Sequence, residues 1–103
     1  MAGGERKRRP FLVVSHDAFN GNEHYTKVLV VHLTSAHRLG GPYDWEVDVP
    51  RGTAGLAKSS VIKCAEVYTL LKVQIGNLIG TLPREHLVRV DRALSMTLGL
   101  LPG

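Results

Sequence analysis

The spacing of apolar and polar residues along the chain predicts four or five short β-strands followed by one helix. Residues 11–15 form a short apolar run typical of a buried strand, and residues 27–34 are apolar on both faces, as in the centre of a sheet. Residues 61–70 form a less regular fourth strand, and residues 77–82 a short fifth one. We expect a small, mostly antiparallel barrel, because no parallel β-α-β pattern and no glycine-rich nucleotide-binding signature is present.

The third strand, residues 44–49, carries the most regular alternation in the sequence. Every second residue is apolar, which predicts a half-exposed antiparallel strand. The apolar face, which we expect in the core, consists of Trp45, Val47 and Val49. The other face, which we expect in solvent, consists of Asp44, Glu46 and Asp48. Three carboxylates on one solvated face would repel a polyanion such as RNA, so any RNA-binding surface is expected elsewhere.

The periodicity changes to that of a helix near Arg84. The apolar residues then recur three or four positions apart, and this stripe consists of Leu87, Val90, Ala93, Leu94 and Leu98. Pro83 is favourable at a helix start, and Gly99 is favourable just after a helix end. The pattern predicts a helix over residues 84–98, at the end of a single domain that spans residues 1–103.

The basic charge of the chain is concentrated in one place. The 103 residues include 13 Lys or Arg and 9 Asp or Glu, a net charge of +4, and four cations lie consecutively at residues 6–9. A basic arm over residues 1–8 is typical of an anion-binding element, although a solubilising tail has the same composition. Because the arm leads directly into the first strand, we favour contact with a polyanion.

Composition argues against several classes of protein. No apolar run approaches the ~20 residues that span a bilayer, and the first residues lack the apolar segment of a signal peptide. Cys64 is the single cysteine, which excludes an internal disulfide and fits a cytoplasmic location. The five histidines include no pair at metal-ligand spacing, so we expect no bound metal and no cofactor.

Two strand ends carry residues that suit a phosphodiester. Arg9 and Pro10 open the first strand, and Thr34 and Ser35 close the second, so a guanidinium and two hydroxyls are expected near one point. RNA is cleaved when its 2′-hydroxyl loses a proton and attacks the adjacent phosphate, and the 5′-oxygen leaves. The planar guanidinium of Arg9 suits stabilisation of the crowded phosphorane, which leaves the proton-transfer residue open.

This pair of motifs resembles the MazF/PemK/Kid family of toxin endoribonucleases, whose members carry an Arg-Pro-apolar run and a Leu-Thr-Ser sequence in this order. Residues 55–70 are similar to the family's Gly-Leu-x-Lys-Asp-Ser-Val strand and the Asp-Gln-x-Arg-Thr that follows it. The resemblance implies a small SH3-like antiparallel barrel of the CcdB/MazF type with a C-terminal helix. It also implies a cognate antitoxin protein and a homodimer, in which we expect Val88 and Met96 to take part. The implied activity is sequence-specific, metal-independent cleavage of single-stranded mRNA.

The resemblance assigns catalytic roles to Arg9 and Thr34. We expect RNA contacts from six further residues, which are Arg8, His16, Ser35, Lys63, Glu66 and Tyr68. The sequence departs from the family at Ala65, where an acidic residue is common, at Glu66, where glutamine is common, and at Tyr68, where arginine is common. Tyr68 would either stack on a base or pack in the core. His16 would either transfer protons or be an exposed loop histidine.

The start of the sequence also departs from the family. Family members usually begin with Arg-Gly-Asp or Arg-Gly-Glu and an apolar strand, whereas residues 1–8 precede Arg9 here. We therefore expect either a barrel truncated by one strand, with weakened catalysis, or a natural start upstream of Met1. Two other functions stay open. One is a gyrase poison of the CcdB type, although Leu101-Pro102-Gly103 differs from the Trp-Gly-Ile ending of those proteins. The other is a non-catalytic barrel that binds RNA or a protein.

Overall fold

The computed structural model describes residues 9–100 as a four-stranded antiparallel half-barrel followed by one long helix. The strands are β1 (Phe11–Val13), β2 (Lys27–Thr34), β3 (Glu46–Val49) and β4 (Ser60–Leu71). The helices are α1 (Asp17–Asn20) and α2 (Arg84–Thr97), with short 3-10 turns at Thr53–Gly55 and Lys72–Gln74. The strand order is β1-β2-β4-β3, and every neighbouring pair is antiparallel. The predicted fold class, mainly β with a C-terminal helix, is confirmed.

One face of the sheet packs against α2 and forms the hydrophobic core. The stiff, branched side chains of valine and isoleucine dominate it, because they fit a pleated surface well. The buried members of the core are Val31, Leu33, Val47, Val49, Leu56, Ile62, Cys64, Leu82, Val90 and Ala93. Burial of this apolar surface, at about 25 cal/mol per Å², is the main source of stability. The opposite face of the sheet is therefore available for polar residues.

The helix α2 begins at the predicted residue and ends one residue before the predicted end at Leu98. It starts at Arg84 directly after Pro83 and ends at Thr97. Gly99 adopts a left-handed backbone conformation with φ of 71°, and its N–H donates to the carbonyl of Met96 at 3.1 Å. Only the middle of the predicted apolar stripe, at Val90 and Ala93, is buried. In the described part of the chain, no helix combines the length and the hydrophobicity that crossing a bilayer requires.

The predicted environment of the third strand is wrong at two residues. Trp45 is 39% exposed, because it lies in the turn before β3 and its ring stacks on Tyr43 rather than on the core. Glu46, expected in solvent, is only 5% exposed, because two cationic side chains enclose its carboxylate. Alternation therefore identifies the face to which each residue belongs but not whether that face is covered.

The predicted fifth strand at residues 77–82 is also wrong, since this segment has no regular structure. Its Gly80 lies so close to the backbone of Ala54 that a Cβ there would collide with it, and Gly55 has φ of 76° and faces the backbone of Ile79. The segment thus makes a close contact between two loops instead of joining the sheet. β4, at Ser60–Leu71, is one residue longer at each end than the predicted residues 61–70.

Candidate active site

The sheet face opposite the core carries a band of polar side chains. β2 and β4 alternate, so Leu33 and Ile62 face α2 while their neighbours face the other way. The register places Thr34 opposite Val61 and Val61 opposite Asp48, and it places Glu46 opposite Lys63. The polar residues gathered on this face are His32, Thr34, Glu46, Asp48, Lys63, Glu66 and Tyr68.

Of the two residues predicted to be catalytic, Arg9 lies two residues before β1 and Thr34 is the last residue of β2. Phe11 of β1 pairs with His32 of β2, and the N–H of Leu33 donates to the carbonyl of Pro10 at 3.4 Å. The same register, continued by two residues, places Arg9 opposite Thr34. Residues directly opposite each other in an antiparallel pair share a face, with Cβ atoms about 5 Å apart. The guanidinium and the hydroxyl can therefore reach one phosphate.

The end of β2 leaves the hydroxyl of Thr34 able to donate. Its Oγ1 accepts a hydrogen bond from the N–H of Ala36 at 3.2 Å, so the hydroxyl hydrogen can point to an oxygen of a ligand. Ser35, the next residue, is exposed, and its carbonyl accepts a hydrogen bond from the ring Nδ1 of His37 at 2.8 Å. Ser35 thus lies beside the site but outside the strand.

A buried carboxylate organises the part of the face next to β3. Oε1 of Glu46 accepts from Arg38 Nε at 3.0 Å and from the N–H of Tyr43 at 3.1 Å, while Oε2 accepts from Arg38 Nη2 at 2.9 Å and from Lys63 Nζ at 2.7 Å. The bond from Arg38, together with those from Lys63 and Tyr43, lowers the pKa of Glu46 from 4.5 to about 2. Glu46 is therefore a fixed negative charge that holds two cations.

The guanidinium of Arg38 is fixed on a second side by aromatic rings. Its central carbon lies 4.1 Å from the centre of the Tyr43 ring, and Tyr43 stacks on Trp45 at 4.6 Å. The hydrogen bond to Glu46 raises the pKa of Arg38, so the group stays charged. The three side chains form a stacked edge beside the polar face.

A second, smaller cluster surrounds Glu66. Its Oε1 lies 2.9 Å from Nε2 of His32 and accepts from the hydroxyl of Tyr68 at 3.4 Å, while its Oε2 lies 3.9 Å from Nζ of Lys63. Lys63 therefore connects the Glu66 cluster to Glu46. A continuous chain of polar contacts runs from Arg38 across the sheet to His32.

An irregularity in β4 makes this connection possible. Leu33 pairs with Ile62, but Val31 pairs with Val67, so β4 contains three more residues than β2 over this stretch. In a regular strand, residues three apart lie on opposite faces, whereas here Lys63 and Glu66 lie on the same one. The bulge turns Glu66 toward His32.

A small cavity of about 40 Å³ lies between this face and the loop after β2. Arg38 and Lys63 supply cations to its wall, and Asp48 supplies a buried Oδ1 with no hydrogen-bond partner among the described residues. No group of three or more potential metal ligands occurs within residues 9–100.

His16 takes part in a structural contact. Its Nδ1 accepts a hydrogen bond from the N–H of Ala18 at 2.9 Å and so caps α1, a single helical turn that the sequence analysis missed. Arg8 and the rest of the basic arm lie outside the described residues.

Sequence reasoning also missed Arg38, Glu46 and His32 as members of the site. The alternation of residues 44–49 could have suggested Glu46 only if the register with Lys63 had been known.

Comparison with known proteins identifies the family. The sequence matches, over residues 1–98, the family described as PemK-like, MazF-like toxin of type II toxin-antitoxin system. The chain belongs to this family. The MazF-like chain is 30% identical over 94 residues to endoribonuclease MazF2 of Mycobacterium bovis, a match that covers 91% of this chain and 81% of that protein. Endoribonuclease MazF6 of Mycobacterium tuberculosis matches with the same identity and coverage.

Solved structures show the same fold. An endoribonuclease in complex with its cognate antitoxin, from a mycobacterial species, superposes with a TM-score of 0.78 at 24% identity and covers 92% of this chain and 84% of that one. A MazE-MazF structure from Deinococcus radiodurans superposes with a TM-score of 0.74 at 26% identity, covering 91% and 88%. The resemblance inferred from the Arg-Pro and Leu-Thr-Ser motifs is confirmed, and the gyrase-poison alternative is not favoured.

Proposed function

We propose that this MazF-like toxin is an endoribonuclease that cuts single-stranded mRNA at a defined sequence, without a metal ion, through attack of the 2′-hydroxyl on the adjacent phosphate. The observation that carries the proposal is the register of β1 on β2, which pairs Phe11 with His32 and, continued by two residues, brings Arg9 opposite Thr34. The names of the curated relatives, which are endoribonucleases, support the same activity.

Arg9 and Thr34 hold the phosphate in this proposal. The planar fork of Arg9 donates to two phosphate oxygens and balances the charge of the phosphorane, while Thr34 donates its hydroxyl hydrogen to one of them. The products are a 2′,3′-cyclic phosphate and a 5′-hydroxyl. The proposal needs no metal, because the guanidinium stabilises the negative charge.

The RNA strand runs along the polar face past Lys63 and Tyr68. Glu46 and Asp48 lie on this same face, contrary to the expectation that RNA binds away from these carboxylates, and Arg38 and Lys63 offset the charge of Glu46. Lys63 keeps a positive charge near the path, and Tyr68, which is exposed, can stack on an unpaired base.

Ser35 lies directly after the end of β2. Glu66 acts on the RNA through the side chains that it contacts, which are His32, Lys63 and Tyr68. Contact from Arg8 and from His16, whose ring caps α1, stays a prediction.

Three further properties belong to the proposal. A cognate antitoxin binds the toxin and blocks its activity; the similar mycobacterial endoribonuclease was solved in complex with its cognate antitoxin. A second copy of the chain packs on the exposed apolar side of α2, at Val88 and Met96. The toxin acts in the cytoplasm, where its mRNA substrate is found.

The test is incubation of purified protein with a long single-stranded RNA in EDTA, followed by mapping of the cut ends. We expect cleavage that survives EDTA and leaves cyclic phosphate and 5′-hydroxyl ends. Arg9→Ala should cut at least about a hundredfold more slowly, because it loses a preorganised donor at the developing charge. The matched control is Arg51→Ala, which removes an exposed arginine from the loop after β3 and should cut at the wild-type rate. Strict dependence on Mg²⁺ would refute the reaction class, and RNA binding without any cleavage would favour the non-catalytic alternative.

A further inference from the structure

Cleavage by the 2′-hydroxyl requires a group that accepts a proton, and neither Arg9 nor Thr34 is suited to that step, since a guanidinium stays protonated and a threonine hydroxyl is a poor base. His32 lies on the same sheet face, two residues before Thr34 on β2. Residues two apart on a strand are about 7 Å apart, which is within the span of one nucleotide's phosphate and ribose. A base at this position would therefore lie next to the phosphate held by Arg9 and Thr34.

The ring of His32 is oriented by a carboxylate. Its Nε2 lies 2.9 Å from Oε1 of Glu66, and its side chain is 22% exposed, so it is partly shielded but can be reached from the polar face. When a carboxylate accepts the Nε2–H, the neutral ring carries its free lone pair on Nδ1. No group within residues 9–100 makes a hydrogen bond to that Nδ1. The arrangement of an oriented imidazole with one free nitrogen is that of a general base.

The surroundings of His32 suit proton transfer. On β4, Glu66 is its direct partner and the Tyr68 ring meets it edge-on at 6.2 Å, while Lys63 contacts the far oxygen of Glu66 at 3.9 Å. On β1, the residue opposite His32 is Phe11, which carries no charge, and Arg9 lies one pair further along the same face. The carboxylate can thus stabilise the imidazolium that forms, and Lys63 and Tyr68 fix the carboxylate.

We propose that His32 is the general base of RNA cleavage and that Glu66 is the residue that positions it, an inference that rests on the proposed endoribonuclease function. Nδ1 of His32 accepts the 2′-hydroxyl proton while the bond from the 2′-oxygen to phosphorus forms. The bond from phosphorus to the 5′-oxygen breaks, and the departing oxygen takes a proton from water. The hydroxide that remains takes the proton from the imidazolium, which restores the neutral ring.

The first experiment compares cleavage rates of wild type, His32→Gln, Glu66→Gln and the matched control His24→Gln over a range of pH in EDTA. His32→Gln keeps an N–H for Glu66 but has no basic nitrogen, so we expect a loss of about a hundredfold or more in kcat. In wild type, kcat should rise with pH to a plateau, because only the neutral ring accepts a proton, and His32→Gln should lack this rise. Glu66→Gln should lower the plateau by less than His32→Gln, because the base remains but the imidazolium loses its anionic partner. His24, with a side chain 87% exposed, should have no effect.

A second experiment separates a base from an acid and from a structural role. An RNA with sulfur in place of the bridging 5′-oxygen has a leaving group that needs no protonation. The His32→Gln defect should persist with this substrate, and recovery of the wild-type rate would instead make His32 the general acid and overturn the proposal. The His32→Gln protein should bind an RNA with a 2′-deoxy residue at the cut site as tightly as wild type does. Its urea unfolding midpoint should also equal that of wild type.

The controls also separate the failure of this inference from that of the proposed function. If wild type cuts RNA and Arg9→Ala does not, but His32→Gln cuts at the wild-type rate with the wild-type pH profile, then only the role of His32 is refuted. If wild type cuts no RNA at any pH, the proposed function is refuted and the role of His32 with it.

Discussion

Replacement of Glu46 by glutamine tests whether the buried carboxylate stabilises the fold through its charge. The side chain receives hydrogen bonds from Arg38, Lys63 and the backbone of Tyr43 and is almost completely removed from solvent. Glutamine has nearly the same shape and keeps one acceptor oxygen. Its amide NH₂ group, however, would face a cationic donor, so the two positive side chains lose their common partner.

The size of the effect follows from the pKa of Glu46. A decrease from 4.5 to about 2 corresponds to about 3 kcal/mol of preferential interaction with the ionised form. The Arg38 side chain is 40% exposed, so solvent screens part of this energy, and we expect Glu46→Gln to lose about 2 kcal/mol of unfolding free energy at pH 7. A loss of this size is large for a protein domain.

The pH dependence gives an independent check. Because the folded-state pKa is lowered, the stabilising contribution is complete above 4.5 and disappears as the pH falls through about 2. The unfolding free energy of wild type should therefore fall more steeply between these values than that of Glu46→Gln. The two proteins should approach equal stability at the acidic end.

The assay is urea unfolding followed by the fluorescence of Trp45, the only tryptophan of the chain, which precedes Glu46 directly. Protein concentration must be equal in all samples, because association changes apparent stability. Glu23→Gln is the matched control, since its side chain is 90% exposed. A Glu46→Gln protein within about 0.5 kcal/mol of wild type at pH 7, or one with the same acid dependence as wild type, would refute the reasoning.

Two further predictions concern Cys64 and the helix α2. Burial, with a smaller effect from the charge of Glu46, raises the pKa of the Cys64 thiol to about 11. At pH 8 this thiol should therefore react with iodoacetamide at least about tenfold more slowly in the folded protein than in urea. Equal rates would contradict the burial of Cys64. Val88→Asp should shift the mass measured by light scattering from dimer toward monomer, because Val88 is 57% exposed on the side of α2 where the second copy is proposed to pack. The control is Val73→Asp, at a residue in a turn that is 89% exposed, and it should leave the mass unchanged. A monomeric wild type at micromolar concentration would contradict the dimer.

The elements that the sequence predicts well are those set by local spacing. The apolar run of residues 27–34 became β2 with the same bounds, and the change of period near Arg84 marked the start of α2. Gly99 ends that helix because a left-handed backbone favours glycine, which is a property of one residue and its neighbours. Such features need no knowledge of the rest of the fold.

The errors arose where distant parts of the chain meet. Glu46 is buried because Arg38 and Lys63 cover it, and residues 77–82 stay irregular because Gly80 packs on Ala54. The link between His32 and Glu66 depends on three additional residues in β4, which no alternation pattern predicts. Arg9 and Thr34 could be paired in advance only through the motifs of the family, since strand register is a property of the folded sheet.

The bulge in β4 divides one long strand into two segments, and the residues that face the polar side have odd numbers in the first segment and even numbers in the second. Before it, the odd residues Val61 and Lys63 face the polar side, and after it the even residues Glu66 and Tyr68 do. A deletion of one residue between the two segments would leave the pairing of β3 with the first segment intact and would turn Glu66 away from His32. Insertions and deletions at this point would thus change which side chains of β4 reach the polar face, while the pairing of β3 with β4 stays the same.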